Sequence, residues 1–159
     1  MKIPATKTLA LIFTVLLLAL FACEKADPNA NLELDIEQLA RDLYENGKFV
    51  DQLERLDDAA VPYAYNLGSP VKAVVYAGSA ATPEEIIVAE YENEESASAG
   101  YDKIKTRLAD QRKTFDNYNA EYRPLLDDPL FVKLGKYVIY CVSNDTNAAK
   151  VVFDRYTKG

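Results

Sequence analysis

Two adjacent glutamates are the centre of the most distinct cluster of side chains in the sequence that could bind a ligand or do chemistry. Glu84 and Glu85 follow Thr82, and Glu90 lies further along the same apolar run. Such a group can bind a cation or a polar ligand. A pair of carboxyls can also hydrolyse a glycoside when one protonates the bond and the other attacks or activates water. We therefore take Thr82, Glu84, Glu85 and Glu90 as candidate ligand-binding residues.

The geometry of a β-strand argues against catalysis by the adjacent pair. Neighbouring residues of a strand point to opposite faces, so Glu84 and Glu85 cannot flank one glycosidic bond. A structural role is the simpler interpretation, in which Thr82 caps a turn and the glutamates form a solvated strand end that discourages edge pairing. The sequence thus predicts no catalytic residue here, and ligand binding stays open as the alternative.

Tyrosines offer a second type of binding side chain. All 11 follow the apolar N-terminal run, and Tyr118 and Tyr122 lie in a predicted loop. Aromatic rings with carboxylates nearby can stack on the sugars of a cell wall, which makes Tyr118 a further candidate. Half-buried tyrosine in a small domain without tryptophan is the simpler explanation.

The absence of histidine from the whole sequence excludes several classes of enzyme. Ser-His-Asp and Cys-His catalysis and imidazole zinc sites all need that side chain. Oxygen ligands remain in Asp127-Asp128 and in the segment 144–147, but neither has the spacing of an EF-hand. Turn and helix-cap chemistry explains both segments, so we expect no metal site and no cofactor.

The apolar run Leu9–Ala22 is typical of a secretory signal. Lys2 and Lys7 supply a basic region in front of it, and the chain becomes polar directly after Cys23. A helix needs about 20 apolar residues to span a bilayer, and this run is shorter. A cleaved signal is therefore preferred to the alternative, an uncleaved membrane helix.

Leu20-Phe21-Ala22-Cys23 resembles the bacterial lipobox, whose cysteine is lipidated and becomes the mature N-terminus. Phe21 departs from the usual pattern, in which a smaller residue is commoner. The sequence then predicts a signal peptide over residues 1–22, a tether over 23–33 and one domain over 34–159. Acyl chains such as palmitate on Cys23 would anchor this domain to the extracytoplasmic face of the cell membrane.

The second cysteine, Cys141, lies in an apolar, strand-like segment. With Cys23 consumed by lipid, no intramolecular disulfide can form. A catalytic thiol usually needs a basic neighbour that lowers its pKa, and the chain has no histidine. We expect Cys141 to be a buried structural residue.

The excess of acidic over basic residues indicates which classes of partner the domain can bind. The chain has 25 acidic and 18 basic residues and a formal net charge of −7. Nucleic acid and anionic lipid head groups repel a domain this acidic, so we expect neither as a partner. The expected partners are the membrane, through the lipid on Cys23, and an envelope protein or a cell-wall ligand.

Helices and paired strands alternate along the rest of the chain. Helices are predicted over 35–46, with Asp35 as its N-cap, and over 93–118, with Gln111 in its buried stripe. The segment 144–147 is predicted to cap a final helix, whose inner face consists of Ala148, Val151, Val152 and Tyr156. Strands are predicted over 71–77, 84–92, 130–134 and 137–143. The pattern indicates a weak strand over 49–56 and a short helix over 59–66. Paired strands separated by helices favour an α+β domain, with helices packed on one face of an antiparallel sheet of about four strands.

The segment Ala81-Thr82-Pro83-Glu84-Glu85-Ile86, with the long helix behind it, resembles a bacterial family of domains of unknown function, number 4358. The opening helix, the segment 49–56 and the hairpin 133–143 are also similar to that family. Its members are mostly small lipoproteins or secreted proteins of Gram-positive anaerobes. The resemblance implies that compartment and an α+β fold, and it implies no activity and no catalytic residues.

These observations predict an extracytoplasmic, membrane-anchored lipoprotein that is a non-catalytic binding or interaction module at the cell envelope. A cell-wall glycan hydrolase that uses carboxylates is the alternative. A calcium-responsive module is a third hypothesis.

Overall fold

A computed structural model describes residues 32–158. The predicted signal peptide, Cys23 and most of the predicted tether lie outside the described residues. No helix within 32–158 is long and apolar enough to cross a membrane.

The elements follow one another in nearly the predicted order. They are α1 (Ile36–Asn46), β1 (Glu54–Arg55), α2 (Val61–Ala64), β2 (Lys72–Ala77), β3 (Glu85–Glu90), α3 (Glu94–Tyr118), a 3₁₀ turn (Arg123–Leu126), β4 (Leu130–Leu134), β5 (Tyr137–Val142) and α4 (Thr146–Thr157). The helix predicted over 59–66 is only the single turn α2, with Pro62 near its start and no side-chain cap.

Short polar side chains define where the three longer helices begin. Asp35 accepts a hydrogen bond from the backbone nitrogen of Gln38 at 3.0 Å, and Asp145 accepts one from Ala148 at 3.0 Å. Asn93 and Ser96 form a reciprocal capping box at the start of α3. Each cap satisfies a backbone N–H that has no partner inside its helix.

The strands form one antiparallel sheet in the order β1-β2-β3-β5-β4. β3 lies at its centre, where Val88 is opposite Val74 of β2 and Ile139 of β5. The predicted α+β class and antiparallel pairing are confirmed. The fifth strand, β1, adds two residues beside β2 and extends the sheet of about four strands that the sequence predicts.

Helices cover both faces of this sheet, and the predicted packing on one face is wrong. On one face α1 and α4 share a core with Val74, Ile86 and Val88. On the other face α3 shares a core with residues that include Ile87 and Ala89. The physical reason is that residues 85–89 of β3 are all buried, and a strand that is apolar on both sides needs cover on each.

The long helix α3 positions the polar side chains that face one end of β3. Its buried stripe consists of Ala97, Gly100, Ile104, Leu108 and Phe115. This stripe lies against the sheet and places Arg107 and Gln111 within hydrogen-bonding distance of Glu85. The start of β3 and the C-terminal half of α3 therefore meet at a polar contact.

Candidate functional site

Glu85, at the start of β3, is the centre of a polar network and only 3% of its side chain is exposed. Arg107 donates from Nε to Oε1 at 2.8 Å and from Nη2 to Oε2 at 2.7 Å. The Gln111 amide donates to Oε1 at 3.0 Å, and the Tyr65 hydroxyl donates to Oε2 at 3.0 Å. A carboxylate has about four lone-pair sites, so these donors saturate Glu85.

The network holds its members in defined charge states. Burial by itself would lower the pKa of Arg107, but the hydrogen bonds and the charge of Glu85 outweigh it and raise that pKa above its ordinary value. Burial, followed by the charge of Glu85, raises the pKa of both Tyr65 and Tyr140. At neutral pH the network therefore contains an ion pair and two neutral phenols.

Two further contacts fix the orientation of the network. Cζ of Arg107 lies 4.3 Å from the ring centroid of Tyr65. The hydroxyl of Tyr140 donates to Oε1 of Gln111 at 2.9 Å, while the other end of that amide donates to Glu85. Because both ends of the amide are bonded, Gln111 has one orientation.

Glu84 is also buried, but it bonds to a different segment. Its carboxylate accepts hydrogen bonds from the backbone nitrogens of Val50 at 3.0 Å and Asp51 at 2.8 Å, and from the Thr82 hydroxyl at 3.2 Å. Asp51 in turn accepts from the hydroxyl and the backbone nitrogen of Ser79 at 2.7 and 2.8 Å, and these bonds lower the pKa of Asp51. Segment 49–52 is thereby attached to the β2–β3 connection.

These contacts overturn one interpretation of the adjacent pair. Glu84 and Glu85 are 2% and 3% exposed, so the predicted solvated strand end is wrong. The pair diverges as strand geometry requires, since Glu84 bonds to segment 49–52 and Glu85 to α3. Both glutamates are buried because each has a full set of donors that offsets the cost of removing its charge from water.

Glu90 takes no part in this cluster. It lies opposite Tyr137 of β5, whereas Glu85 lies opposite Val142, at the other end of the strand. Its carboxylate pairs with Nζ of Lys136 at 2.9 Å. Five strand residues at about 3.4 Å each place Glu90 roughly 17 Å from Glu85.

A groove runs along α3, beside the loop after α2 and the β2–β3 connection. It has two adjoining parts of about 510 and 230 Å³, which we together name the α3 groove. Both parts are lined by Arg107, Gln111, Thr114 and Phe115. The larger part is also lined by Ala64, Asn66, Lys103, Thr106 and Asp110, and the smaller by Tyr65, Ala77, Gly78, Ala80, Thr82, Pro83, Glu84, Glu85 and Tyr118.

A hydrogen bond connects the two walls of the α3 groove, which are the end of α3 and the β2–β3 connection. Nδ2 of Asn119, the C-cap of α3, donates to the carbonyl oxygen of Ala81 at 3.2 Å. Ala80 in the same connection has φ of 66°, a backbone conformation that costs a non-glycine residue on the order of 1–3 kcal/mol. Hydrogen bonds on either side of Ala80, from Ser79 to Asp51 and from Asn119 to Ala81, hold this conformation.

The structure brings most of the predicted binding residues together. Thr82, Glu84, Glu85 and Tyr118 line the α3 groove, and Tyr118 is 75% exposed at its end. Glu90 lies elsewhere, and the predicted lipidation site, Cys23, lies outside the described residues.

Sequence reasoning missed the binding potential of Arg107 and treated Gln111 as part of the packing stripe of α3. A signal was present, because a polar residue interrupted an apolar stripe one helical turn after an arginine. Residues four apart on a helix share a face, so Arg107 and Gln111 can reach the same partner.

The segments considered for calcium have structural partners. Asp145 caps α4 and pairs with Lys48 at 3.1 Å, and Asp128 pairs with Lys150 at 2.9 Å. Within residues 32–158, no group of three or more histidine, cysteine or acidic side chains is placed to hold a metal ion.

Cys141 is completely buried in β5 and forms no disulfide. Burial raises the pKa of its thiol, and the charge of Glu84 adds to that effect. The thiol is therefore protonated at neutral pH and packs as an apolar side chain, in agreement with the prediction of a structural cysteine.

Comparison with known proteins finds one family. The profile described as Domain of unknown function (DUF4358) matches residues 46–143, more than half of the chain. This range contains every residue that lines the α3 groove. No curated protein and no solved structure matches the chain.

Proposed function

The chain belongs to the DUF4358 family, which is described only as a domain of unknown function. Since the family supplies no activity, we propose a function from the geometry of the α3 groove. In this proposal the domain is a non-catalytic module that binds a small polar fragment of the cell wall. The observation that carries it is the α3 groove, where polar side chains surround the Glu85–Arg107 ion pair and Tyr118 lies exposed at one end.

The shape and lining of the groove support a ligand rather than a flat protein surface. Ligand sites are concave and carry a few fixed polar groups, whereas protein interfaces present broad apolar patches. Asn66, Thr106 and Thr114 supply amide and hydroxyl groups along the groove. The ring of Tyr118 can stack on the apolar face of a sugar.

The bonding of the two buried glutamates supports a role without catalysis. A general acid must hold a proton that it can deliver to the substrate, and a general base must have a free lone pair. Glu85 accepts from Arg107, Gln111 and Tyr65, and Glu84 accepts from two backbone nitrogens and Thr82. Neither carboxylate is available for the acid and base steps of a glycan hydrolase.

The proposed location is the extracytoplasmic face of the cell membrane, with the domain held by lipid on Cys23. The lipobox-like sequence before Cys23 supports it, and the net charge of −7 makes direct attraction to anionic head groups unfavourable. A lipid anchor would keep the α3 groove close to the wall.

Ligand binding is tested by titrating the full-length chain with soluble muropeptides in ligand-observed NMR and calorimetry. Tyr118→Ala should weaken binding by about two- to tenfold, as expected for the loss of one stacking contact. The matched control is Tyr63→Ala, because Tyr63 is 93% exposed and lies outside the α3 groove. Muropeptide binding that survives Tyr118→Ala unchanged, or release of cleaved products, would contradict the proposal.

The location is tested by fractionating cells that express the wild type or Cys23→Ala. The wild type should be found in the membrane fraction with a mass that includes acyl chains, and the variant should lack them. Identical masses for the two proteins, apart from the substitution itself, would rule out lipid on Cys23.

A further inference from the structure

Arg107 has a second hydrogen-bonding edge besides the one that holds Glu85. Its Nε and Nη2 donate to that carboxylate, and Nη1 has no hydrogen-bond partner within the described part of the chain. The Arg107 side chain is 35% exposed and lines both parts of the α3 groove. A donor group is therefore open to a ligand in the groove.

The exposed edge of Arg107 is already held in place. Glu85 binds one side of the guanidinium through two hydrogen bonds, and the ring of Tyr65 covers one face. A ligand that bonds to Nη1 therefore meets a side chain that has already lost most of its rotamer freedom. Preorganisation of this kind lowers the entropic cost of binding.

Lys103 adds a second cation to the same wall of the groove. It lies one helical turn before Arg107, so the two side chains share a face of α3. Lys103 is exposed and forms no ion pair with any residue in 32–158, although the chain as a whole is acidic. Its ammonium group is available to a bound anion.

The neighbouring carboxylates decide which kind of anion fits. Asp110 also lines the groove and pairs with Lys113 at 3.2 Å, and Glu85 lies beneath Arg107. These negative charges cancel much of the long-range attraction of the two cations. What remains is a short-range attraction through N–H donors, which suits a single small anionic group in direct contact more than a polyanion.

We infer that the ligand of the α3 groove carries a carboxylate, which accepts hydrogen bonds from Nη1 of Arg107 and Nζ of Lys103. This inference rests on the proposed binding function and names the group that is recognised. In a wall fragment the carboxylate can belong to the lactyl ether of muramic acid or to the end of a peptide. The chemistry at Arg107 is the same in both cases.

The test titrates the full-length chain with two matched pairs of probes in calorimetry. One pair is N-acetylmuramic acid and N-acetylglucosamine, and the other is N-acetyl-alanyl-alanine and its C-terminal amide. The acid should bind at least about tenfold more tightly than its neutral partner in one pair, as expected for a hydrogen bond to a charged group. The pair that shows the difference identifies the source of the carboxylate.

Variants on α3 assign the effect to the two cations. Lys103→Gln should weaken binding of the acid by about two- to fivefold and leave the neutral probe unchanged. Lys105→Gln is the matched control, since Lys105 is exposed and does not line the groove. Arg107→Lys keeps the positive charge but loses the planar set of N–H donors. This variant should therefore weaken binding of the acidic probe by about tenfold. Melting temperatures of all variants identify any that are misfolded.

The outcomes separate this inference from the proposed function. Equal affinity for the acidic and neutral probes would contradict the inference that the ligand carries a carboxylate. It would not contradict the proposal that the domain binds a ligand in the α3 groove. Unchanged affinity for muropeptides in both Lys103→Gln and Arg107→Lys would lead to the same two conclusions. Absence of binding by all four probes and by muropeptides overturns both proposals.

Discussion

Arg107 on α3 and Glu85 at the start of β3 form a two-point ion pair, with N–O distances of 2.8 and 2.7 Å. The Glu85 side of this pair is buried, and the Arg107 side opens to the α3 groove. One contact therefore joins the long helix to the sheet and also presents a donor to a ligand. Stability and binding are coupled at this point.

The pair should contribute to stability chiefly through the cost of leaving one member alone. Removal of one partner of a buried ion pair costs about 3–5 kcal/mol, and we take the lower end because water reaches Arg107. Glu85→Gln should therefore lower the free energy of unfolding by about 3 kcal/mol, and the melting temperature by roughly 10 °C. Urea denaturation and a thermal scan measure the two quantities.

A matched control distinguishes this buried pair from a surface one. Glu94 pairs with Lys133, but its side chain is 55% exposed. Glu94→Gln should change the free energy of unfolding by less than about 1 kcal/mol. If Glu85→Gln and Glu94→Gln lowered the free energy of unfolding equally, burial of the Glu85–Arg107 pair would not increase its contribution to stability.

Local chemistry made most of the elements predictable. Asp35 was expected to cap α1, and it does so through a hydrogen bond that spans three residues. The β-branched runs of β2 and β3 predicted strands because such side chains pack well on a pleated surface. These signals act over short distances along the chain, which is why they can be seen in one sequence.

The polar network could not be predicted because its members are distant in sequence. Tyr65 precedes Glu85 by 20 residues, and Arg107 follows it by 22. Their meeting depends on how α3 lies across the sheet, and no local pattern encodes that placement. Glu85 by itself is typical of a surface residue, so its burial was not expected from the sequence.

The buried face of α4 shows a second limit of prediction from the sequence. The predicted inner face of this helix consisted of Ala148, Val151, Val152 and Tyr156. The structure buries Ala149, Val152 and Phe153 and leaves Val151 55% exposed. Periodicity therefore identified the helix correctly and assigned part of its buried face wrongly.

Glu84 should hold segment 49–52 against the β2–β3 connection. Glu84→Ala leaves the backbone nitrogens of Val50 and Asp51 without an acceptor, at a cost of about 2 kcal/mol, because the site is partly buried. Amide hydrogen exchange at Val50 and Asp51 should accelerate more than elsewhere. Glu45→Ala, at an exposed position, is the control and should leave both amides unchanged.

Cys141 should make stability fall at alkaline pH. Burial raises the pKa of its thiol above the unfolded value of about 8.5, so the folded state retains the proton. The resulting stability is fully present below about pH 8.5 and is lost as the pH rises toward the folded pKa. In a Cys23→Ala background, the urea midpoint should fall more between pH 8 and pH 10 with Cys141 than with Cys141→Ala.

A thiol reagent gives an independent check on Cys141. In the Cys23→Ala background, the folded chain should react slowly at pH 8, and the same chain in urea should react at the rate of a free thiol. Rapid reaction in the folded state would mean that the thiol is accessible and ionised, which would contradict its burial.

Gly100→Ala should destabilise the chain although alanine favours a helix. The substitution gains about 1 kcal/mol in helix propensity. Its Cβ, however, would overlap the hydroxyl and ring of Tyr91, which is 1% exposed and donates to the carbonyl oxygen of Leu67 at 2.7 Å. Overpacking against a ring held in this way costs more than the propensity gain, so the net loss should be about 2 kcal/mol in urea denaturation.

A double-mutant cycle tests whether Tyr91 is the cause of that loss. Tyr91→Leu removes the hydroxyl and the ring edge that the new Cβ would meet. In that background Gly100→Ala should cost less than in the wild type, because the overlap is gone and the propensity gain remains. If Gly100→Ala raised the melting temperature of the wild type, the close packing of α3 on Tyr91 would be wrong. The position of α3 over the sheet, and with it the alignment of Arg107 on Glu85, would then have to be revised.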